Sequence, residues 1–541
     1  MIRVMDLDAR NRNIITRLNM GDTLTRTAWR MPGKLAIVDG ENRLTYGELN
    51  EQVNQLANSL ANRGYSRGDR LSILAGNSLE FVLTYYACAK LGVVCVPINT
   101  GWQAAEIAYV LDHCKARGIV VESQLAANLL PALGSVSTLS DVVLAPGIGD
   151  KDQVGNVLLG IRPDGFYRFW DLLSEGNADE PQAYVEDRDP LTYLYTSGTT
   201  SAPKGVVGSH LSIYLESMTC VIESGFTATE RTAAMMPFFH TAQLNGVITP
   251  AIAVGGTIFV MRTFDPTVLL ELVEREKITF IFGLPMMYRI MIDHPDIHKR
   301  DLSSLRRALY AMAPMPDKDL KRAIETFKCE FALGFGQTEM APLTTVFKPE
   351  DQLSYPGSVG SQIVNVQTAV MDEDGGILAP GEVGEIVYRG PHAMEGYLHD
   401  EKATSAAFRY SWFHSGDTGH FDENGILWFD DRTKDVIKTG GENVASIEVE
   451  KAIYAAEEGI MEVVVIGLPH DRWGEAITAV AIPRPGVSLD PEQVIAKTKQ
   501  QIASFKAPKA VIFVDEMPRT STGKVQKHVL RKQLHDFYQP A

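Results

Sequence analysis

The amino-acid sequence predicts an α/β protein in two unequal parts. A large N-terminal domain, residues 1–432, is built of parallel αβ sheets plus a β subdomain, and a small α+β domain occupies residues 433–541. Three observations carry this. A chain of 541 residues is too long for one core. From Leu44 to Gly334, apolar runs alternate between strand and helix character over short connections, which is the pattern of a parallel sheet covered on both faces. From about Gly360 the strands are separated by Gly and Asp turns, and beyond the charged stretch Asp431–Lys434 a second αβ alternation begins.

The elements follow in order. Thr45 with Glu48 three residues on is a capping box, and Leu49, Val53, Leu56 and Leu60 recur at helical spacing up to the stop at Gly64. Arg70–Ala75, Val93–Pro97 and Gly118–Glu122 read as strands, with helices at Leu79–Leu91 and Ala105–Cys114. Residues 145–190 are rich in Gly, Asp and Pro and read as irregular surface. Leu191–Tyr195 is a strand, Leu211–Gly225 a helix, Thr232–Met236 and Val254–Met261 strands. Val268–Glu276 is a helix, and Ile278–Phe282 and Glu330–Gly334 are strands. In the small domain, Ser446–Ala456 and Pro491–Ser504 read as helices, and Glu462–Gly467, Ala476–Pro483 and Val511–Asp515 as strands.

The formal net charge of −16 argues against a general nucleic-acid or anionic-membrane binder. Five scattered cysteines without a CxxC read as buried thiols, with neither a disulfide framework nor a zinc site. The opening MIRVMDLDARNRN has no apolar segment of a secretion signal, and no apolar run reaches the ~18 residues that span a bilayer, so a soluble cytoplasmic protein is expected.

Chemistry concentrates in a few loops. Thr196–Gly205, TSGTTSAPKG, leaves an apolar strand, is rich in hydroxyl and N–H donors, and ends on one cation, Lys204. Such a loop wraps a polyanion, and phosphate is the obvious one. It is no Walker loop, because Pro203 stands where that motif needs Gly. Gly334-Phe335-Gly336-Gln337-Thr338-Glu339 follows a strand, where open α/β sheets bind ligands; Phe335 suits a flat base and Glu339 a Mg²⁺ carried by a triphosphate. Asp417 offers two acceptors to ribose hydroxyls, and Arg432 pairs with phosphate or ribose. Lys524, in PRTSTGK, stabilises developing charge if brought to a phosphate. For each, a bland alternative stands beside it: a turn, a cap, a solvated charge. His240, after Phe238 and Phe239, reads by itself as a structural histidine, and the recurring methionines as core fillers.

The order of these motifs, TSGTTSAPKG, PFFH, GFGQTE, GEVGEIVYRGP with GY, SGD, DRTKDVIKTGGEN and PRTSTGK, resembles the adenylate-forming superfamily of acyl-CoA synthetases, amino-acid adenylation domains and firefly luciferases. The resemblance runs from Leu44 to Lys524. It implies a carboxylate that attacks the α-phosphate of MgATP to give acyl-AMP, followed by transfer to a thiol, usually of CoA. It further implies that Thr196, Ser197, Gly198, Thr199, Thr200 and Lys204 hold the phosphates, that Ala313, Gly334, Phe335, Gly336, Gln337 and Thr338 surround the adenylate, and that Glu339 and Thr200 ligate Mg²⁺. Asp417 and Arg432 bind ribose; Phe239, His240, Met312, Gly336 and Met340 border the acyl group; His240 and Lys524 are catalytic. The small domain is then mobile, pivots at Lys434, and presents Lys438, Gly440 and Gly441 to CoA. Phe335 for the commoner Tyr, Asp431 for Gly and Lys527 for Arg depart from the family pattern without removing a catalytic group.

The FFHT segment lacks the carboxylate that pairs with an amino-acid ammonium, and no Arg lies in Met312–Met315 or Glu339–Pro342 to greet a dicarboxylate. An apolar monocarboxylate fits best, a fatty acid first and an aryl acid such as a hydroxycinnamate second. A ligase that loads a carrier protein and a luciferase-like oxygenase are the alternatives. The expected partners are the acid, ATP and CoA, with a homodimer left open.

Overall fold

The computed structural model describes residues 8–147, 155, 157–158, 165–196, 203–312, 315–432, 435–520 and 523–538. Ser197, Gly198, Thr199, Thr200, Ala313 and Lys434 lie outside these, so the expectations placed on them are not addressed below.

Two large sheets face each other across a shared core. The first has eight strands. Its parallel centre is Val94–Pro97, Arg70–Leu74, Gly118–Glu122 and Asp141–Ala145. Ile119 and Val121 point into one core and Val120 into another, the two-residue alternation of a sheet buried on both faces. The second has nine strands, with Leu35–Asp39, Thr257–Val260, Arg231–Ala234, Phe280–Gly283, Arg307–Ala311 and Glu330–Gly336 parallel at its centre. The Leu79–Leu91 helix is buried at every residue and packs in a core drawn from both sheets. Lys90 on it survives burial because Asn50 Oδ1, Asn54 Oδ1 and Glu180 Oε1 accept from its ammonium at 2.7, 2.6 and 2.6 Å.

A four-stranded antiparallel sheet of Gln367–Met371, Gly384–Arg389, Phe413–Phe421 and Leu427–Arg432 forms the β subdomain. From Ile437 on, a five-stranded sheet centred on Ile460–His470 and Gly474–Pro483 carries two apolar cores that contain no earlier residue. The mixed parallel and antiparallel architecture with a small C-terminal unit is therefore as expected. The Thr45–Glu48 capping box is formed in full, and all five cysteines are buried free thiols. No described helix is long and apolar enough to cross a membrane.

Four expectations need correction. Residues 145–190 are not all irregular: Phe166–Arg168 adds the last parallel strand and Phe169–Ser174 a helical turn. The apolar run there is too short to show a period. Lys204–Ser209 is a strand, antiparallel to Pro190–Thr196, where the sequence suggested loop running to helix. Its two glycines hid it, yet Gly208 is required, since a Cβ there would lie 2.8 Å from Thr192 Oγ1. Thr241–Val254 is helical with a π turn at Leu244–Ile248, and the next strand begins only at Thr257, after Gly255 turns the chain at φ +91°. Pro491 opens a helix that ends at Thr498, short of Ser504.

Candidate active site

The phosphate-loop residues that are described close a hairpin: Thr196 ends one strand directly opposite Lys204, which begins the next. The Lys204 strand is fastened on its far side by Gly396–Tyr397, through pairing of Val206 with Tyr397 and a Leu398 N–H donated to Gly205 O at 2.8 Å. The Lys204 ammonium stands 4.8 Å from the Tyr397 ring centroid. The Tyr397 hydroxyl in turn donates to Glu339 Oε1 at 2.9 Å. Burial, then the Glu339 carboxylate, raises the Tyr397 phenol far above its ordinary value, so it stays a donor. Cation, ring and carboxylate thus form one chain that joins the two motifs.

Gly336 sits at an irregularity in the ladder between Glu330–Gly336 and Leu343–Phe347. A Cβ there would come 1.8 Å from Pro342 O, so no side chain fits. Gln337 N–H donates to that same oxygen, and Thr338–Met340 is a single 3₁₀ turn that presents Glu339. Phe335 is half-buried, its ring 5.4 Å from that of Phe429. Asp417 and Arg432 face each other across a strand pair, Arg432 Nε to Asp417 Oδ1 at 2.8 Å. Ser415 Oγ accepts from Asp417 N–H at 3.0 Å and fixes the turn.

His240 caps the helix that starts at Thr241: its Nδ1 accepts from Ala242 N–H at 3.2 Å. Burial, reinforced by the charge of Lys524, pushes the imidazole down to about 4. The ring is neutral at pH 7, and with Nδ1 accepting, the proton is on Nε2. Lys524 belongs to the small domain, on a turn where Thr520 N–H donates to Lys524 O and Lys524 N–H to Thr520 Oγ1. Its neighbour Gly523, at φ +85°, meets the large domain so closely that a Cβ would lie 2.8 Å from Leu284 Cδ1. The fold therefore seats the Lys524 turn on the large domain at Leu284, with the Lys524 charge bearing on the histidine of the PFFH segment.

A model of the AMP-binding enzyme family matches residues 24–398, and that of the AMP-binding enzyme C-terminal domain matches residues 448–524. The chain belongs to the AMP-binding enzymes. An indoleacetate–CoA ligase of Aromatoleum aromaticum is 32% identical over 95% of this chain and 98% of its own. A long-chain-fatty-acid–CoA ligase of Mycobacterium tuberculosis is 33% identical over 95% and 98%. The crystal structure of ATP-bound MatB from Rhodopseudomonas palustris superposes with a TM-score of 0.86 at 29% identity, covering 96% of this chain and all of that one.

In this AMP-binding enzyme, Phe239, Met287 and Met312 are half-buried against a shared core: Phe239 beside His240 in the chain, Met287 on the Pro285–Ile292 helix and Met312 just past the Arg307–Ala311 strand. One sequence expectation fails here. Met340, placed on the acyl wall, is fully buried in the other core with Leu343 and Met394. Phe238 points inward against Phe81, ring centroids 5.7 Å apart. Gly440 and Gly441 form a two-residue hairpin loop with φ +61° and +90°, which demands glycine-like freedom with or without a ligand; Lys438 flanks it, exposed. Sequence reasoning missed Tyr397, whose signal was the GY after RGP, and Asn77. The Asn77 amide donates to Met236 O and Met261 O and accepts from Phe238 N–H, fixing the segment that carries Phe239 and His240.

Proposed function

We propose that this ATP-dependent acyl-CoA ligase activates an apolar monocarboxylic acid, a fatty acid in the first place. The observation that carries the reading is the seating of the Lys524 turn on the large domain, Gly523 against Leu284, with the Lys524 charge bearing on His240 next to the Phe239–Met312 wall. Two anions must approach in the first step, so a cation between them removes repulsion and holds the charge of the pentavalent phosphorus. A carboxylate oxygen attacks the α-phosphorus and pyrophosphate leaves. Lys524 bridges the carboxylate and the α-phosphate, and neutral His240 donates from Nε2 without adding a charge. Lys204 and the loop around Thr196 hold the β- and γ-phosphates, while Phe335 packs on adenine and Asp417 and Arg432 hold ribose. Gly334, Gly336, Gln337 and Thr338 supply the close backbone.

Glu339 fits a Mg²⁺ ligand: Tyr397 occupies Oε1, and among the described residues Oε2 accepts no hydrogen bond. Bound Mg²⁺ supplies further neutralisation of the triphosphate. In the second step the CoA sulfur attacks the acyl carbonyl, AMP leaves and the thiol proton goes to solvent. Lys524 is not needed there. The small domain, residues 433–541, turns about Lys434 and brings Lys438, Gly440 and Gly441 to the CoA arm. Its separate apolar cores and its polar contacts with the large domain support such a turn: Arg289 Nη1 donates to Met461 O, Lys451 Nζ to Gly357 O, and Lys318 pairs with Glu458.

A dicarboxylate is disfavoured. Arg306 is taken by Glu230 and Ser224 O, and Arg307 by Glu330 and Glu223 O. Arg307 also begins the strand whose far end carries Met312, roughly 16 Å away at strand rise. An aryl acid is the second reading, favoured by nearly the same identity to the indoleacetate ligase, 32%, as to the fatty-acid ligase, 33%. The test is pyrophosphate and AMP release from MgATP with fatty acids, benzoates, cinnamates, malonate and amino acids, with and without CoA. A CoA-dependent AMP signal with one apolar acid supports the reading; signal only with malonate or an amino acid overturns it.

A further inference from the structure

Behind the loop that carries Glu339 lies a buried contact between a carboxyl and an imidazole that the chemistry above does not use. Glu216 is on the inner face of the His210–Ser224 helix, the element that follows the phosphate hairpin, and is fully buried. Its Oε1 accepts from Leu343 N–H at 3.0 Å and from the Cys220 thiol at 3.3 Å. Leu343 is the ladder partner of Gly336. Its Oε2 stands 3.0 Å from Nδ1 of His392, also fully buried. Two residues on from His392, Met394 N–H donates to Glu339 O at 2.7 Å, and three beyond that Tyr397 holds the Glu339 carboxylate.

One carboxylate thus touches both ends of the frame around Glu339: the strand after the 3₁₀ turn, and the segment that grips the turn from the other side. It does so from the helix tied in sequence to Lys204. A polar pair buried only to stabilise the fold gains little, since desolvation offsets most of its attraction. We propose that Glu216 and His392 are a positioning pair, which sets the Glu339 carboxylate against Lys204 and so tunes the use of Mg²⁺ with ATP. The inference rests on the reading of Glu339 as a Mg²⁺ ligand.

The test measures pyrophosphate release across a Mg²⁺ series at fixed ATP, with the acid KM in parallel, for the full-length enzyme and for Glu216→Gln, His392→Gln and Glu339→Gln. Glu216→Gln and His392→Gln are expected to raise the half-maximal Mg²⁺ concentration about fivefold to tenfold and to leave the acid KM within about twofold. His392→Gln keeps a polar group of similar size and carries the test if Glu216→Gln does not fold. An unchanged Mg²⁺ response in these variants, with a shifted one in Glu339→Gln, overturns the pair alone. Equal shifts in the Mg²⁺ and acid constants mark general loosening and overturn it too. An unchanged response in Glu339→Gln overturns the metal reading and the pair with it.

Discussion

Two lysines close glycine-containing loops in this molecule, and they are held in opposite ways. Lys204 begins a strand that is paired on both sides, and its ammonium lies over the Tyr397 ring. Lys524 rides on a short turn of the small domain, closed by Thr520 and by a bridge between Arg519 and Val525. One is built into the frame proposed to grip ATP. The other rides on a unit with its own cores, tethered by polar contacts and by the approach of Gly523 to Leu284. Binding charge belongs on rigid structure, because it acts throughout. Charge needed only in the transition state belongs on structure that can leave.

The largest break in this comparison comes from Lys524→Ala. Acyl-AMP formation falls about 10²–10³-fold, the scale for losing one preorganised donor, while supplied acyl-AMP is still converted to thioester at close to the normal rate. Single-turnover assays of each half-reaction check this, and equal losses in both sink the division of labour. Lys204→Ala acts differently: the KM for ATP rises about tenfold, roughly 1.4 kcal/mol, with the acid KM little changed in steady-state kinetics.

Acid separates the two regions again. His210 and His240, both in the large domain, are held neutral by burial, with values pushed down to about 3 and about 4. Below about 6.5 the unfolded chain takes up protons that the native chain refuses, so stability falls as pH drops from about 6.5 toward 4 and is unaffected above it. His210→Gln narrows the gap in melting temperature between pH 7.5 and pH 5 by about 2 °C, read by calorimetry. The smallest effect is expected from Arg289→Met, which removes the hydrogen bond to Met461 O. Loosening that tether slows acyl-AMP formation about twofold and leaves thioester formation from supplied acyl-AMP unchanged.

Local signals in the sequence were good guides where the determinant was local. Thr45 with Glu48 specified a helix start, and the β-branched run Gly118–Glu122 became a strand with those bounds. The Lys204–Ser209 strand was illegible because its outer partner, Gly396–Tyr397, lies about 190 residues away and is two residues long. The helix after His240 was hidden by a π turn that breaks the 3.6-residue period. The site motifs were legible by type and order. What they touch was not: Tyr397 between Lys204 and Glu339, Asn77 behind His240, and Met340 turned away from the acyl wall are products of packing between distant segments.

Phe239, Met287 and Met312 all precede residue 432, whereas Lys524 follows it. On the proposed roles, the choice of acid and the means of activating it are therefore written in separable stretches of the gene, and a lineage can drift from aliphatic to aromatic acids by changing a few codons around Phe239 and Met312 without touching the stretch that carries Lys524.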